Sequence, residues 1–393
     1  MNNIPKINQA DPIPEAARSD IENLLSTGDL FRYTNHNSAV FTLEQNFANK
    51  IGAPYALAVS SCSAALFLAL KTLSLPANAK VLIPAFTFGA VPSAVVHANC
   101  IPVLCECGTD YRIDLDDFLV KLQLVDAVLI SHMRGHTSDM DKILSQCEKL
   151  GVPVIEDAAH SLGTTWRGKN IGTFGKLGCF SFQSYKLLNS GEGGMLITDD
   201  PDCFAKAVVM SGAYEHNWKK HHGERQFFEK WQNQLPLYNM RLNNLSALIV
   251  DSQIPYLDER IENGRRNHDI AAKKLSHSEW IHVPEKFEHE ARAPDSIQFN
   301  LVGLTPLEVS QFCDLINRMG VALQVFGNSK DNARAFWNWD FLPERFNLPK
   351  TRGMLMNACD VRLPARLNVD DCKSIAEMIL EALRQVKSNM AAE

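Results

Sequence analysis

A lysine and an aspartate in this sequence have the surroundings that covalent chemistry on a carbonyl compound requires. Lys186 follows the apolar run 177–182 and precedes the glycine-rich segment 191–194. A lysine amine that is kept neutral can attack an aldehyde and form a Schiff base. Asp157 closes another apolar run, 152–157. A carboxylate at the end of a buried strand needs a cationic partner, which offsets the cost of its burial.

Together these two side chains suggest a pyridoxal phosphate site. Asp157 would keep the pyridine nitrogen protonated, so that the ring can accept the electrons left when a proton leaves the substrate. Lys186 would hold the aldehyde, be displaced by an incoming amine, and then carry the proton as general base and acid. That second task requires a neutral amine near neutral pH. Burial beside a positive charge lowers the pKa of a lysine in that direction.

Three more clusters follow predicted strands, at the edge where open α/β sheets bind ligands. Residues 60–63, Ser-Ser-Cys-Ser, offer backbone N–H groups and a helix N-terminus to a phosphate, although serines here could simply cap the helix. Phe86 and Phe88 could lie against a planar ring or pack in the core. His132 and His136 follow another strand, and we expect them beside the site or facing the substrate.

Apolar strands alternate with helical patterns through most of the first 255 residues. After a helical start, this alternation predicts a largely parallel sheet that is covered by helices on both faces. A long helical stretch at about 242–275 then leads to a different pattern. We therefore expect a large domain over 1–255 and a smaller α+β domain over 256–393. The predicted strands are 80–84, 101–105, 127–131, 153–157, 177–182, 195–198, 297–302 and 322–325.

The composition excludes several classes of partner. The 393 residues carry a formal net charge of −6 with no basic block, so we expect neither nucleic acid nor an anionic membrane surface as a partner. No apolar run reaches the roughly 18 residues of a spanning helix, and we expect a cytoplasmic location.

The ten cysteines form no CxxC pair and are interpreted as reduced packing residues. His216, His221 and His222 are irregularly spaced and are expected on a surface loop, with no metal site.

The motifs around the lysine resemble a known family. Glu-Asp-Ala-Ala-His at 156–160, Gly-Cys-Phe-Ser-Phe at 178–182, Lys186 and Gly-Glu-Gly-Gly at 191–194 are similar to the DegT/DnrJ/EryC1/StrS aminotransferases. The resemblance implies an α/β protein of the aspartate-aminotransferase-like fold, fold type I. It also implies ping-pong transfer of an amino group from an amino acid, glutamate or glutamine, to a keto or aldehyde sugar. This sugar could be nucleotide-linked or a sugar acid.

The resemblance also implies roles for individual residues. Lys186 matches the Schiff-base lysine, Asp157 the partner of the pyridine nitrogen, and His160 the position beside the ring oxygen. Cys62 departs from the family's Ser-Gly-Thr phosphate turn, which has glycine there, and is either a shielded thiol or a residue that fills space. The other cofactor-binding residues that the resemblance implies are Ser61 and Ser63 in that turn, Ser181 at the phosphate, and Phe88 on the face of the ring.

Two regions bear on subunits and substrate. Asn239 lies in Tyr-Asn-Met-Arg at 238–241, which resembles a family segment whose asparagine reaches the phosphate of the neighbouring subunit. The implied assembly is a homodimer with shared active sites. Loops that usually face the substrate depart from the family pattern near residues 30 and 328. Arg32, Tyr33 and Lys330 are therefore candidate substrate-binding residues. The cations of Arg32 and Lys330 could hold a carboxylate or phosphate, or they could merely be solvated.

Two alternatives to an aminotransferase stay open. A sugar dehydratase of the same family uses the same cofactor but has histidine in place of the lysine, so Lys186 argues against it. A non-catalytic regulatory protein could keep the fold and bind the cofactor without turnover. The presence of each expected catalytic residue argues against this second alternative.

Overall fold

The computed structural model describes residues 6–343 and 345–390. Helices and strands alternate along most of this part of the chain. The helices are α1 (Arg18–Thr27), α2 (Ala39–Ile51), α3 (Cys62–Thr72), α4 (Ala90–His97), α5 (Leu115–Leu122), α6 (Met140–Leu150), α7 (Pro201–Gly212), α8 (Arg225–Trp231), α9 (Asn244–Asp251), α10 (Leu257–Leu275), α11 (Pro306–Arg318), α12 (Pro349–Leu355) and α13 (Val369–Met390). The strands are β1 (Tyr55–Val59), β2 (Lys80–Pro84), β3 (Ile101–Cys105), β4 (Ala127–Ser131), β5 (Val154–Asp157), β6 (Thr165–Trp166), β7 (Lys169–Asn170), β8 (Leu177–Ser181), β9 (Gly194–Thr198), β10 (Ile281–His282), β11 (Glu290–Ala291), β12 (Ser296–Leu301), β13 (Leu323–Val325) and β14 (Ala358–Arg362).

The large sheet has the strand order β1-β9-β8-β5-β4-β2-β3. Neighbouring strands in this sheet are parallel except at β9, which runs antiparallel to both β1 and β8. Every residue of β4 and β5 is buried, as expected for parallel strands that are covered on both faces. The register places Asp157 of β5 beside Ser131 of β4 and Cys179 of β8. The predicted α/β fold with a mainly parallel sheet is confirmed.

Helix α6 shows how local sequence sets these elements. Asp139 precedes the helix, and its side chain accepts a hydrogen bond from the backbone N–H of Lys142. The apolar residues Met140, Ile143 and Cys147 recur at helical spacing and are buried. Gly151 ends the helix with φ of 66°, a left-handed conformation that glycine adopts without a steric penalty. The helix can therefore return the chain from β4 to the parallel strand β5.

A second sheet is antiparallel and has the order β10-β12-β14-β13. It shares a hydrophobic core with helices α10, α11 and α13, built around residues such as Phe299, Phe312 and Ile379. This is the predicted smaller α+β part of the fold. The boundary at residues 255 and 256 stays a prediction, because β11 pairs with β6 of the preceding part of the chain.

Two departures of the structure from the sequence prediction have a clear local cause. The predicted long helix at 242–275 is interrupted between α9 and α10 by a 3-10 turn, Ile254–Tyr256, which contains Pro255. Proline lacks the N–H that a continuous helix needs. Strand β14 was not predicted, because Asp360 and Arg362 hide its apolar pattern. Within the described ranges, no helix has both the length and the apolar character that a bilayer crossing demands.

Candidate active site

A cavity of about 710 Å³ opens beside the ends of β4, β5 and β8. Open α/β sheets bind ligands at the carboxyl ends of their strands, and polar side chains lie together at these strand ends. The structure brings together eight of the residues that sequence reasoning singled out. They are Ser61, Cys62, Ser63, Phe88, Asp157, His160, Ser181 and Lys186.

The turn before α3 has the form of an anion site. Ser61 caps the helix, since its Oγ accepts a hydrogen bond of 3.0 Å from the Ala64 N–H. The backbone N–H groups of Cys62 and Ser63 have no acceptor among the residues described here. At Gly194 of β9, a Cβ atom would lie 2.4 Å from the Ser61 carbonyl carbon, so only glycine allows this close approach. Capping and phosphate binding are therefore compatible in this turn.

Asp157 is held as an oriented anion at the end of β5. Its Oδ2 accepts a hydrogen bond of 2.8 Å from the Ser131 hydroxyl, and its Oδ1 accepts one of 3.1 Å from the Ala159 N–H. Cys62 Sγ lies 3.9 Å from Oδ1. Burial, followed by the negative charge of Asp157, raises the pKa of the Cys62 thiol well above its usual value, so the thiol stays protonated. A buried carboxylate with these donors suits a cationic ring nitrogen.

Lys186 lies in the loop after β8, and its amine contacts His160. The Nζ atom is 3.0 Å from His160 Nε2 and 3.1 Å from Nδ1. Burial lowers the pKa of Lys186 to about 8; Asp295 raises it again in part, whereas Arg134 lowers it further. Burial and the charge of Lys186 lower the pKa of His160 well below its usual value, so the imidazole is neutral. The amine can therefore serve as a nucleophile and base close to neutral pH.

We predict that the cofactor-free protein captures pyridoxal phosphate at a rate that rises with pH around a midpoint near 8. The reason is that only the neutral Lys186 amine attacks an aldehyde, and the pKa of this amine is lowered to about 8. Stopped-flow absorbance across a pH series measures the midpoint. Lys186→Ala should show no such pH-dependent phase. A midpoint near the usual lysine pKa would contradict the lowered value.

Several residues of this cavity escaped the sequence analysis. Arg134 follows β4 with a positive φ of 54° and donates a hydrogen bond to Asp360 of β14. Arg362 lies 4.7 Å from the centroid of the Tyr185 ring and donates to the Tyr185 carbonyl oxygen at 3.1 Å. Arg334 lines the same cavity. Of these three arginines, only Arg134 had a sequence pattern that could have revealed it, because it follows a predicted strand between His132 and His136.

The structure does not place the candidate substrate residues Arg32, Tyr33 and Lys330 in this cavity. Arg32 is buried and paired with Glu44 at 2.5 Å, so its guanidinium is already neutralised inside the fold. The Tyr33 hydroxyl lies 2.8 Å from His221 Nε2. Lys330 is exposed on a loop. The expectation of a surface loop is also wrong for His221, whose side chain is only 1% exposed because it packs against this buried pair.

The remaining predicted residues also lie outside the cavity of their own chain. His132 Nε2 lies 3.2 Å from Glu156, and His136 Nε2 lies 2.9 Å from Gln298. Both histidines are buried and support the strands rather than face a substrate. Asn239 is exposed, so its role toward a neighbouring subunit stays a prediction.

Fold and cavity together define an enzyme of fold type I. The chain belongs to the DegT/DnrJ/EryC1/StrS aminotransferase family, whose model matches residues 14–380. The lining residues fit pyridoxal phosphate, because they supply an amine for its aldehyde, a fixed carboxylate for its nitrogen and free N–H groups for its phosphate. The predicted family and enzyme class are confirmed.

Individual relatives agree with this assignment. The putative pyridoxal phosphate-dependent aminotransferase EpsN of Bacillus subtilis is 33% identical over 255 residues, which is 63% of each chain. The match therefore spans less than two thirds of EpsN. The 3-amino-5-hydroxybenzoate synthase of Amycolatopsis mediterranei is 32% identical over 328 residues, or 82% of each chain. The fold is shared with the crystal structure of the aminotransferase TlmJ from Streptoalloteichus hindustanus, which has a TM-score of 0.84 at 20% identity and covers 96% of this chain and 99% of that one.

Proposed function

We propose that this aminotransferase moves an amino group from glutamate or glutamine to a keto or aldehyde sugar by ping-pong chemistry. The observation that carries the proposal is the placement of Lys186 and Asp157 on one cavity with the Ser61–Ser63 turn. The names of relatives support a ring-shaped acceptor, since these relatives include a 3-amino-5-hydroxybenzoate synthase and a GDP-perosamine synthase.

In this proposal each residue has a limited task. Pyridoxal phosphate, when bound, supplies the electron-accepting ring. The Asp157 carboxylate holds the proton on the ring nitrogen, while Ser63, Ser181 and the N–H groups at the start of α3 hold the phosphate. With the cofactor bound, Lys186 would hold its aldehyde carbon covalently until the donor amine takes that place, and the freed Lys186 amine would then accept the proton of the donor α-carbon. His160 stays neutral, and its ring contacts the amine and limits where the amine can lie.

The assembly and location are also proposals. A homodimer with shared sites is supported by the exposed Asn239, which a neighbouring phosphate could reach. The cytoplasm is the proposed location, because the ten cysteines are all free thiols, as is usual in a reducing compartment.

A donor screen tests the proposal. Each amino acid is added to the cofactor-loaded protein, and the visible absorption band is followed together with formation of the 2-oxo acid. Glutamate or glutamine should abolish the band stoichiometrically, and a keto sugar should restore it. A spectrum that no amino acid changes would contradict the proposal and favour the regulatory alternative.

The dehydratase alternative needs a separate readout. With ¹⁵N-labelled glutamate as the donor, an aminotransferase places the label in the sugar product. A dehydratase instead yields a sugar that lacks a hydroxyl and carries no label. Lys186 favours the labelled product, because it can both hold the cofactor and return a proton.

A further inference from the structure

Three arginines, Arg134, Arg334 and Arg362, line the cavity that contains Lys186. Arg134 has a carboxylate partner, Asp360. Among the described residues, Arg362 donates only to main-chain carbonyl oxygens, those of Ile7 and Tyr185. The Nε atom of each of the three guanidinium groups is buried without a hydrogen-bond partner in the part of the chain that the structure describes. Such donors are costly to leave unpaired.

Of the three arginines, Arg334 has the fewest interactions that offset the charge of its guanidinium group. Its side chain forms no hydrogen bond with any residue in 6–343 or 345–390, and its guanidinium lies 5.5 Å from the Phe88 ring centroid and 5.8 Å from that of Phe326. Burial, followed by repulsion from Arg134, lowers the pKa of Arg334 to about 10. Aromatic contacts compensate a buried cation only in part. The two Nη atoms of Arg334 also have no hydrogen-bond partner among the described residues, but unlike Nε they remain accessible, so a negatively charged ligand in the cavity could supply their acceptor.

The three arginines line the same cavity as His160 and Lys186. All of them lower the pKa of His160, whose ring nitrogens contact the amine of Lys186, and Arg134 also lowers the pKa of Lys186 itself. An anion held by these arginines would therefore lie in the same cavity as the Lys186 amine. The planar guanidinium fork matches a carboxylate or phosphate in two-point contact.

Resting on the proposed function, we infer that the amino acceptor is an acidic sugar, with a carboxylate or phosphate bound by Arg334 together with Arg134 and Arg362. In ping-pong transfer, donor and acceptor occupy one site in turn. A donor amino acid would satisfy these arginines with its carboxylate. A neutral acceptor would leave them unpaired in every second half-reaction, whereas an acidic acceptor replaces the donor's charge.

Binding to the cofactor-loaded protein tests this inference without turnover. Three six-carbon polyols differ in one terminal group: D-glucitol is neutral, D-gluconate carries a carboxylate, and D-glucitol 6-phosphate carries a phosphate. Calorimetric titration should give one anion a Kd about 10- to 100-fold lower than that of glucitol, the usual contribution of a charged hydrogen bond. Whichever anion binds better identifies the acidic group. Equal affinity for all three would overturn the inference.

Substitutions at Arg334 test whether this residue causes the preference for the anionic polyol over glucitol. Arg334→Gln should remove most of the preference for the anion and leave glucitol affinity unchanged, whereas Arg334→Lys should keep part of it. Arg352→Gln is the matched control, because Arg352 also stacks on an aromatic ring, at 4.2 Å from the Trp337 centroid, but does not line the cavity. A preference that survives in both Arg334 variants contradicts the inference. A failure of the proposed function would appear separately, in the donor screen.

Discussion

Replacing Lys186 with alanine should lower the rate of amino transfer by at least about 10³-fold. The amine supplies both the covalent attachment of the cofactor and the proton transfer, and a positioned general base alone contributes about 10²- to 10⁴-fold. No other lysine lines the cavity in the described chain. The measurement is the single-turnover decay of the visible band with glutamate, compared with wild type at the same pH.

Borohydride reduction provides an independent readout of the same variant. In wild type, the tryptic peptide that contains Lys186 should gain the mass of the reduced cofactor, and in Lys186→Ala no peptide should. Lys142→Ala is the matched control, since Lys142 is an exposed lysine on α6 with a side chain that is 70% accessible. If Lys186→Ala transfers amino groups at a rate within about tenfold of wild type, the proposed mechanism is wrong.

Replacing Asp157 with asparagine should lower the rate by about 10²-fold or more while leaving the fold intact. The amide has nearly the same shape as the carboxylate and can still accept the Ala159 N–H bond, but it cannot hold a proton on the ring nitrogen by charge. The loss should appear in kcat of the donor half-reaction. The melting temperature should change little.

Ser131→Ala separates charge from geometry at the same position. It removes the hydrogen bond of 2.8 Å to Asp157 Oδ2 but keeps the carboxylate charge. A net hydrogen bond contributes about 1 kcal/mol, so the rate should fall by less than about tenfold. If Ser131→Ala and Asp157→Asn lower the rate equally, the orientation of the carboxylate matters more than its charge.

Short-range patterns accounted for the core of the candidate site. Asp157, Ser181 and the Ser61–Ser63 turn each lie at the end of an apolar strand, and parallel strands bring their carboxyl ends to one edge. Lys186 was recognisable because its motif is contiguous. The arginines were not, since Arg334 and Arg362 lie more than 140 residues further along, in a loop and in a strand whose apolar pattern is interrupted.

Local sequence by itself determined the type of most elements, the mainly parallel sheet and the chemistry of the lysine and carboxylate, because these depend on periodicity and on contiguous motifs. Only the tertiary structure decided which cations face the cavity. Arg32 looked free in the sequence, but folding buries it against Glu44. Arg334 looked unremarkable, yet it lines the cavity, is partly buried and has no carboxylate partner among the described residues. Whether a charge is neutralised depends on contacts between residues that are distant in the chain, and these contacts leave no local pattern.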